Sequence, residues 1–378
     1  MLFRSSIHKP KKSAVTLEKK IAQQQKKEQM KQEEELRKEQ EEKKQQEEDE
    51  LESASDPRVV KHYEEAAEVT NKAMKLAESL CVDGAIVYDV CKAVNTFINE
   101  ETAKIFKGKY SYESGIAFPC CISLNNCCGY FCPLSDDKTA MKKGDLAKIE
   151  LAAHISGFVA EACKTIVIGE EPTGEKATII EAGYTALQEI IKNIKVGAKC
   201  NELTALVDAV CKKYNVKAME NIVSRNMERY TIDGPKFIMN AIPKQSVEEM
   251  TVEDNDVWNL DIILTTGAAR PTEKESRTTV YKRNVDESYL MKMRTSIQIF
   301  REVNNKYPTF PFSLGMLENE SKAKMGIVEI AKHDLVDPYA VVYEKTGVVS
   351  QFKATLIVKE SGVQVLTPIE APAFIKKD

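Results

Sequence analysis

The sequence has 378 residues, 43% of them hydrophobic, and a formal net charge of −4 from 54 basic and 58 acidic side chains. A chain of this length and hydrophobic content can bury one large core or two moderate ones, which excludes global disorder. The charges are dense but nearly balanced, so any contact with nucleic acid must be local. Ten cysteines, some in adjacent pairs, favour free thiols in a reducing compartment over a disulfide framework.

Residues 1–53 form a charged extension. From Lys11 to Leu51 the sequence is almost entirely Lys, Arg, Glu and Gln, and too few apolar positions remain for a heptad seam. This pattern predicts a solvated single helix held by intrahelical ion pairs. The extension either raises solubility or lies on RNA or another protein. Its polar start lacks the apolar stretch of a signal peptide, so we expect a cytoplasmic protein, also nuclear or nucleolar, with no membrane contact.

Residues 54–375 are predicted to form one globular domain. Apolar positions at helical spacing and β-branched, alternating segments follow each other in the order helices, strands, helices, strands. This order indicates an α+β fold that could consist of two similar halves. The predicted helices cover 57–80, 84–106, 176–195 and 198–214, and the main predicted strands cover 116–118, 122–124, 145–152, 157–168, 236–239 and 257–266.

Residues 284–343 break this pattern. They form helical segments rich in Lys, Arg, Met and Phe, interrupted by two aromatic-proline pairs. A strand region follows them, so we interpret 284–343 as a helical insert within the second half of the domain.

Several segments in this order resemble type 2 methionine aminopeptidases and, more closely, the proliferation-associated (ErbB-binding) protein family. The resemblance extends from about Asp56 to the last strand. It implies a pita-bread fold of two pseudo-symmetric halves. The segments that carry it are 115–119, 123–126, 143–146, 154–158, 277–283, 324–329 and 351–353.

The resemblance also implies that the two-metal site of the active peptidases has degenerated. Five positions would correspond to metal ligands: Glu150, Glu161, Arg225, Asp261 and Lys353. A guanidinium and an ammonium cannot donate lone pairs to a divalent ion and would repel it. We therefore expect no metal and no other cofactor, with Arg225 and Lys353 acting as internal counter-ions for the carboxylates.

The two catalytic histidines of the family are also replaced, by Tyr130 and Asp233. A phenol does not titrate near neutrality as an imidazole does, so it is a poor general base. The resemblance therefore predicts a pseudoenzyme with no catalytic residues.

Members of the resembled family bind structured RNA and the large ribosomal subunit near the peptide exit, with the insert as a main contact. We expect the same partners here, for a monomer linked to ribosome biogenesis, translation and growth control, with the cleft free to recognise a nascent chain or another protein. The predicted RNA-binding residues are Arg277, Lys282, Arg283, Lys292, Arg294, Lys322 and Lys324.

Two other functions stay open. One is a residual aminopeptidase that binds a single manganese or magnesium ion through Glu150, Glu161 and Asp261. The other is a protein-interaction scaffold without RNA binding. A zinc site in the cysteine-rich segment 120–132 is less favoured than small buried hydrophobic side chains, because adjacent strand residues face opposite sides.

Overall fold

The structure is a computed structural model that describes residues 52–105, 113–245, 247–273 and 276–375. The predicted N-terminal helix falls outside these residues. Six α-helices are described: α1 (Pro57–Leu80), α2 (Val87–Ile105), α3 (Gly174–Asn193), α4 (Cys200–Tyr214), α5 (Arg294–Lys306) and α6 (Glu320–Lys332). The first begins at an N-cap, since the Asp56 side chain accepts from the backbone of Arg58 and a proline occupies the first turn.

Fourteen strands are described, nine of them in one large sheet. The strands are β1 (Ser114–Leu124), β2 (Leu146–Ile155), β3 (Phe158–Val167), β4 (Lys217–Ala218), β5 (Val223–Met227), β6 (Phe237–Met239), β7 (Val257–Thr265), β8 (Thr272–Glu273), β9 (Val280–Arg283), β10 (Phe312–Ser313), β11 (Val336–Tyr339), β12 (Val342–Tyr343), β13 (Val349–Lys359) and β14 (Gly362–Val365). The main sheet runs β1-β2-β3-β13-β7-β5-β6, with β14 on β13 and β4 on β7.

The late strand β13 therefore lies in the middle of the sheet, between β3 from the first half and β7 from the second. Its pairing is antiparallel on both sides. The pita-bread fold of two joined halves is thus confirmed.

Four helices cover one face of this sheet. In the first half, α1 and α2 pack on apolar residues of β1, β2 and β3. In the second half, α3 packs on β13 and β7, and α4 packs on α3. Because side chains alternate between the two faces of a strand, the residues between these core positions point to the other face. That second face holds the polar residues described below.

Residues 284–343 contain α5, a short 3₁₀ helix at Leu314–Met316, α6 and three short strands. The helices α5 and α6 pack together around a separate apolar cluster that includes Ile299, Val303 and Ile327. Two of the strands, β10 and β11, pair with β9, which precedes the predicted insert.

One detail differs from the strands predicted from the sequence. The predicted strands 116–118 and 122–124 form the single strand β1, because register shifts at two points let it pass Pro119 while it stays paired with β2. The ten cysteines, including those of 120–132, are all buried and form no disulfide bonds. Within the described residues, no helix is long and apolar enough to cross a membrane.

Candidate functional site: a buried lysine among three carboxylates

The register of four neighbouring strands brings the predicted ligand positions together on the polar face of the sheet. Lys353 on β13 lies opposite Asp261 on β7 and opposite Cys163 on β3. Glu150 on β2 is the partner of Cys163 on its other side. Glu161 is two residues before Cys163 and so shares its face. Four of the five predicted positions are therefore neighbours.

The ammonium of Lys353 lies between the three carboxylates. Its Nζ is 2.6 Å from Glu150 Oε1, 2.8 Å from Glu161 Oε1 and 3.3 Å from Asp261 Oδ2. All four side chains are at most 9% exposed. We call these four residues the carboxylate–lysine cluster.

Two amides complete the cluster. Asn259 Nδ2 donates to Glu161 Oε2 at 2.5 Å, and Gln351 Nε2 donates to Asp261 Oδ1 at 3.0 Å. Glu150 is less well satisfied: it forms an ion pair with Lys353, but neither of its oxygens accepts a hydrogen bond from a described residue.

Burial and charge act in opposite directions on these groups. Burial lowers the pKa of Lys353, but the charges of the three carboxylates outweigh it and hold that pKa well above its usual value. Burial raises the pKa of Glu150 to about 8, although Lys353 opposes the shift, and burial also raises the pKa of Asp261. Glu150 is therefore largely protonated at neutral pH. One ammonium and one carboxyl proton then offset two of the three acidic groups.

This arrangement does not fit the pair of divalent metals that the fold family implies. The ammonium occupies the space between the carboxylates, where an ion would have to sit, and it carries no lone pair. No group of three or more His, Cys, Asp or Glu side chains suited to a metal ion occurs within the described residues.

Arg225 shares this sheet face, because it pairs with Asn259 across β5 and β7. Its guanidinium, however, donates to the Gly234 carbonyl at 3.2 Å and lies 5.5 Å from the ring centroid of Phe237. Arg225 is in no ion pair with a described residue. The expectation that it neutralises the carboxylates together with Lys353 is therefore not supported by its contacts.

Aromatic rings cover the cluster. Lys353 Nζ is 5.7 Å from the ring centroid of Phe118, and the rings of Phe118, Tyr130 and Tyr339 contact each other at centroid distances of 5.1–5.9 Å. Burial raises the pKa of Tyr130 well above its usual value. The phenol at this position is thus unsuited to accept a proton near neutral pH.

Asp233, at the other predicted catalytic position, pairs with Lys282 of β9 at 2.6 Å. Like Lys282, two more of the predicted RNA-binding residues contact partners within the protein. Arg283 Nε donates to Asn304 Oδ1, and its guanidinium lies over the ring of Phe300. Lys324 pairs with Asp136 at 2.8 Å. Lys282, Arg283 and Lys324 therefore contribute to the structure of the region. The sequence does not predict these contacts, because the partners named above are distant in the chain.

The other four predicted RNA-binding residues are exposed and are in no ion pair with a described residue: Arg277, Lys292, Arg294 and Lys322. Sequence reasoning missed the supporting residues Asn259 and Gln351, although both follow the strand alternation that places Asp261 and Lys353. It also missed Lys148, which lies two residues before Glu150 on the same face and is 1% exposed.

Comparison with known proteins gives the chain its family. The model of metallopeptidase family M24 matches residues 61–270. ERBB-3 binding protein 1 of Solanum tuberosum is 38% identical over 83% of this chain and 82% of its own length, and proliferation-associated protein A of Dictyostelium discoideum is 35% identical over 87% of both. A curved DNA-binding protein of Schizosaccharomyces pombe is 33% identical over 86% of this chain and 88% of its own length.

Among solved structures, that of a thermophilic Arx1 has a TM-score of 0.76 and 26% identity, covering 84% of this chain and 92% of the other. Four of the five ligand positions expected from the family resemblance also lie together in the fold. The chain therefore belongs to metallopeptidase family M24 and, within it, to the proliferation-associated, ERBB-3-binding-protein family.

Proposed function

We propose that the protein is a non-catalytic member of its family that binds RNA of the large ribosomal subunit through the exposed cations of its insert. The proposal that the protein is non-catalytic rests on the position of Lys353, whose ammonium contacts all three carboxylates that could otherwise hold a metal. A peptidase of this family needs a metal-activated water, and the cluster offers no place for the metal.

The proposed RNA binding is supported by the insert. Lys292, Arg294 and Lys322 are exposed, and carboxylates do not neutralise them within the described residues. Free cations on one small unit provide the local field that phosphate binding requires. The family resemblance implies RNA and the ribosome as partners, and the fission yeast relative is named a curved DNA-binding protein.

Cosedimentation with purified large subunits at several salt concentrations tests the proposal. Reversing two charges in Lys292→Glu/Arg294→Glu removes about two phosphate contacts. It should lower affinity at least about 10-fold and reduce the slope of log K against log salt by about 2. The charge-matched control Lys75→Glu/Lys217→Glu changes two exposed lysines outside the insert. Equal loss in both variants would contradict the proposal.

The absence of peptidase activity is tested separately. The purified protein should release no methionine from a methionyl peptide when Mn²⁺ or Co²⁺ is added. Turnover that Glu161→Gln abolishes would instead support the residual aminopeptidase.

A protein-interaction scaffold is the second candidate, because the insert exposes large apolar side chains. Leu290 is 90% exposed, Val328 66% and Val285 63%. Such residues suit a protein contact more than a phosphate contact. Salt-insensitive association of large subunits with the Lys292→Glu/Arg294→Glu variant, at the affinity of the unchanged protein, would favour this candidate.

A further inference from the structure

A cavity of about 890 Å³ lies away from the carboxylate–lysine cluster, and none of the four cluster residues lines it. We propose that this cavity binds one unpaired guanine nucleotide of RNA, with the base inside and its phosphate on Arg277. The proposal rests on the RNA-binding function proposed above and names its ligand. The residues used in the argument are Phe131, Leu134, Asp136, Asp137, Arg277 and Tyr343.

The walls of this nucleotide cavity come from distant parts of the chain that are tied together. Thr279 Oγ1 donates to the Cys132 carbonyl at 2.6 Å, and the hydroxyl groups of Ser276 and Tyr343 are 2.6 Å apart. Ser135 donates to Glu320 of α6 from both its backbone and its side chain. A cavity held in this way needs little ordering when a ligand binds.

The lining suits a flat, partly apolar ligand. Phe131 and Tyr343 supply aromatic rings, and Leu134 supplies an aliphatic wall. Bases of single-stranded RNA stack on aromatic side chains when they leave the helix. The volume exceeds that of a single base, so the sugar and the neighbouring phosphate also find room.

Two carboxylates decide which base is favoured. Asp136 is bound by Lys324 through Oδ2, and Asp137 Oδ1 accepts from the Thr139 backbone at 2.7 Å. Each aspartate therefore keeps one oxygen that these contacts do not use. Guanine carries adjacent N–H donors on its Watson–Crick edge that match a carboxylate, whereas adenine presents an acceptor beside its amino group. The side chains of an acidic peptide would bring these carboxylates acceptors in place of the donors that guanine offers.

Arg277 supplies the charge for the phosphate. It is exposed at the cavity and is in no ion pair within the part of the chain that the structure describes. A guanidinium binds a phosphate through two parallel N–H···O bonds, a geometry that lysine cannot offer. Base and phosphate sites thus lie on one cavity.

Titration of the full-length protein with GMP, AMP and guanosine, followed by NMR, tests this inference. We expect GMP to bind at least about 10-fold more tightly than either AMP or guanosine. Arg277→Ala should remove the difference between GMP and guanosine, and Ser276→Trp, which fills the cavity, should abolish binding of all three. Arg270→Ala serves as the control for loss of an exposed arginine outside the cavity.

The results separate this inference from the function on which it rests. GMP binding without large-subunit binding would overturn the proposed function and leave the cavity assignment standing. Large-subunit binding without GMP binding, or binding that Arg277→Ala leaves unchanged, would overturn the cavity assignment alone. Equal binding of GMP and AMP, or displacement of GMP by an acidic peptide, would also overturn it.

Discussion

Two buried lysines on the same sheet face have opposite surroundings. Lys353 lies among three carboxylates, and their charges hold its pKa well above the usual value. Lys148 donates to the Asn125 carbonyl at 2.9 Å, lies near cysteine thiols and is in no ion pair with a described residue. Burial lowers its pKa to about 8.

Burial alone therefore does not decide how much a charged side chain contributes to stability. An ammonium that lies among carboxylates is required by its neighbours, because its removal leaves unpaired buried charges. For an ammonium with a single carbonyl partner, most of the free-energy cost of desolvation is not compensated. The same substitution at the two sites should therefore change stability in opposite directions.

The largest effect is expected for Lys353→Met. Loss of the ammonium leaves three neighbouring carboxylates without their cation, which should lower the free energy of unfolding by about 3–5 kcal/mol. Urea denaturation at pH 7 measures this change. Adding Glu161→Gln should recover part of the loss, because one of the carboxylates that Lys353 contacts is removed. A double variant no more stable than Lys353→Met would contradict the charge argument.

Glu150→Gln alone should change the pH dependence of stability. The folded-state pKa of Glu150 is about 8, above its ordinary value of 4.5, so its proton favours the folded state. That contribution is complete below pH 4.5 and is lost as the pH rises through 8. Between pH 5 and 9 the wild type should lose about 4 kcal/mol relative to the variant. Parallel stability curves of the two proteins would exclude this account.

Lys148→Met should stabilise the protein at pH 7, by about 1–2 kcal/mol, because it removes a buried charge while keeping the side-chain volume. Its folded-state pKa of about 8 lies below the ordinary 10.5. The cost is therefore complete below pH 8 and disappears as the pH approaches 10.5. The gain should shrink accordingly in thermal or urea unfolding at pH 9.5. A destabilised variant at pH 7 would show that the Asn125 contact outweighs the cost of burial.

The smallest effect is expected at the Lys282–Asp233 pair, which is only partly buried. Lys282→Ala should lower stability by about 0.5–1 kcal/mol. The more exposed pair of Lys244 and Glu220 provides a control, for which Lys244→Ala should cost less. A double-mutant cycle with Asp233→Ala isolates the pair. A coupling of zero would show that Lys282 is available for other partners.

Local pattern was sufficient to predict much of the fold. The helix predicted at 57–80 coincides with α1, because a capping aspartate and a proline mark its start. The predicted helix at 84–106 is α2, which is shorter by a few residues at its start. Strands β4 and β5 were missed because five residues or fewer carry too little alternation.

The site was predicted in part. The motif positions grouped Lys353 with Glu150, Glu161 and Asp261, and the structure brings these four side chains into contact. The direction of Arg225 could not be foreseen, because it depends on Gly234 and Phe237, which reach it only through the local fold. The sequence did not indicate that Lys148 is buried, since one lysine within a strand normally points to solvent. Non-local partners, rather than residue type, set the role of each cation.

The position of the carboxylate–lysine cluster has a mechanical consequence. Glu150 and Glu161 belong to strands of the first half, Asp261 belongs to the second, and Lys353 lies on the central strand between them. Neither half can open without breaking a buried ionic contact. The two halves should therefore unfold together in a single cooperative transition, and amide hydrogens of β2 and β7 should exchange at the same slow rate.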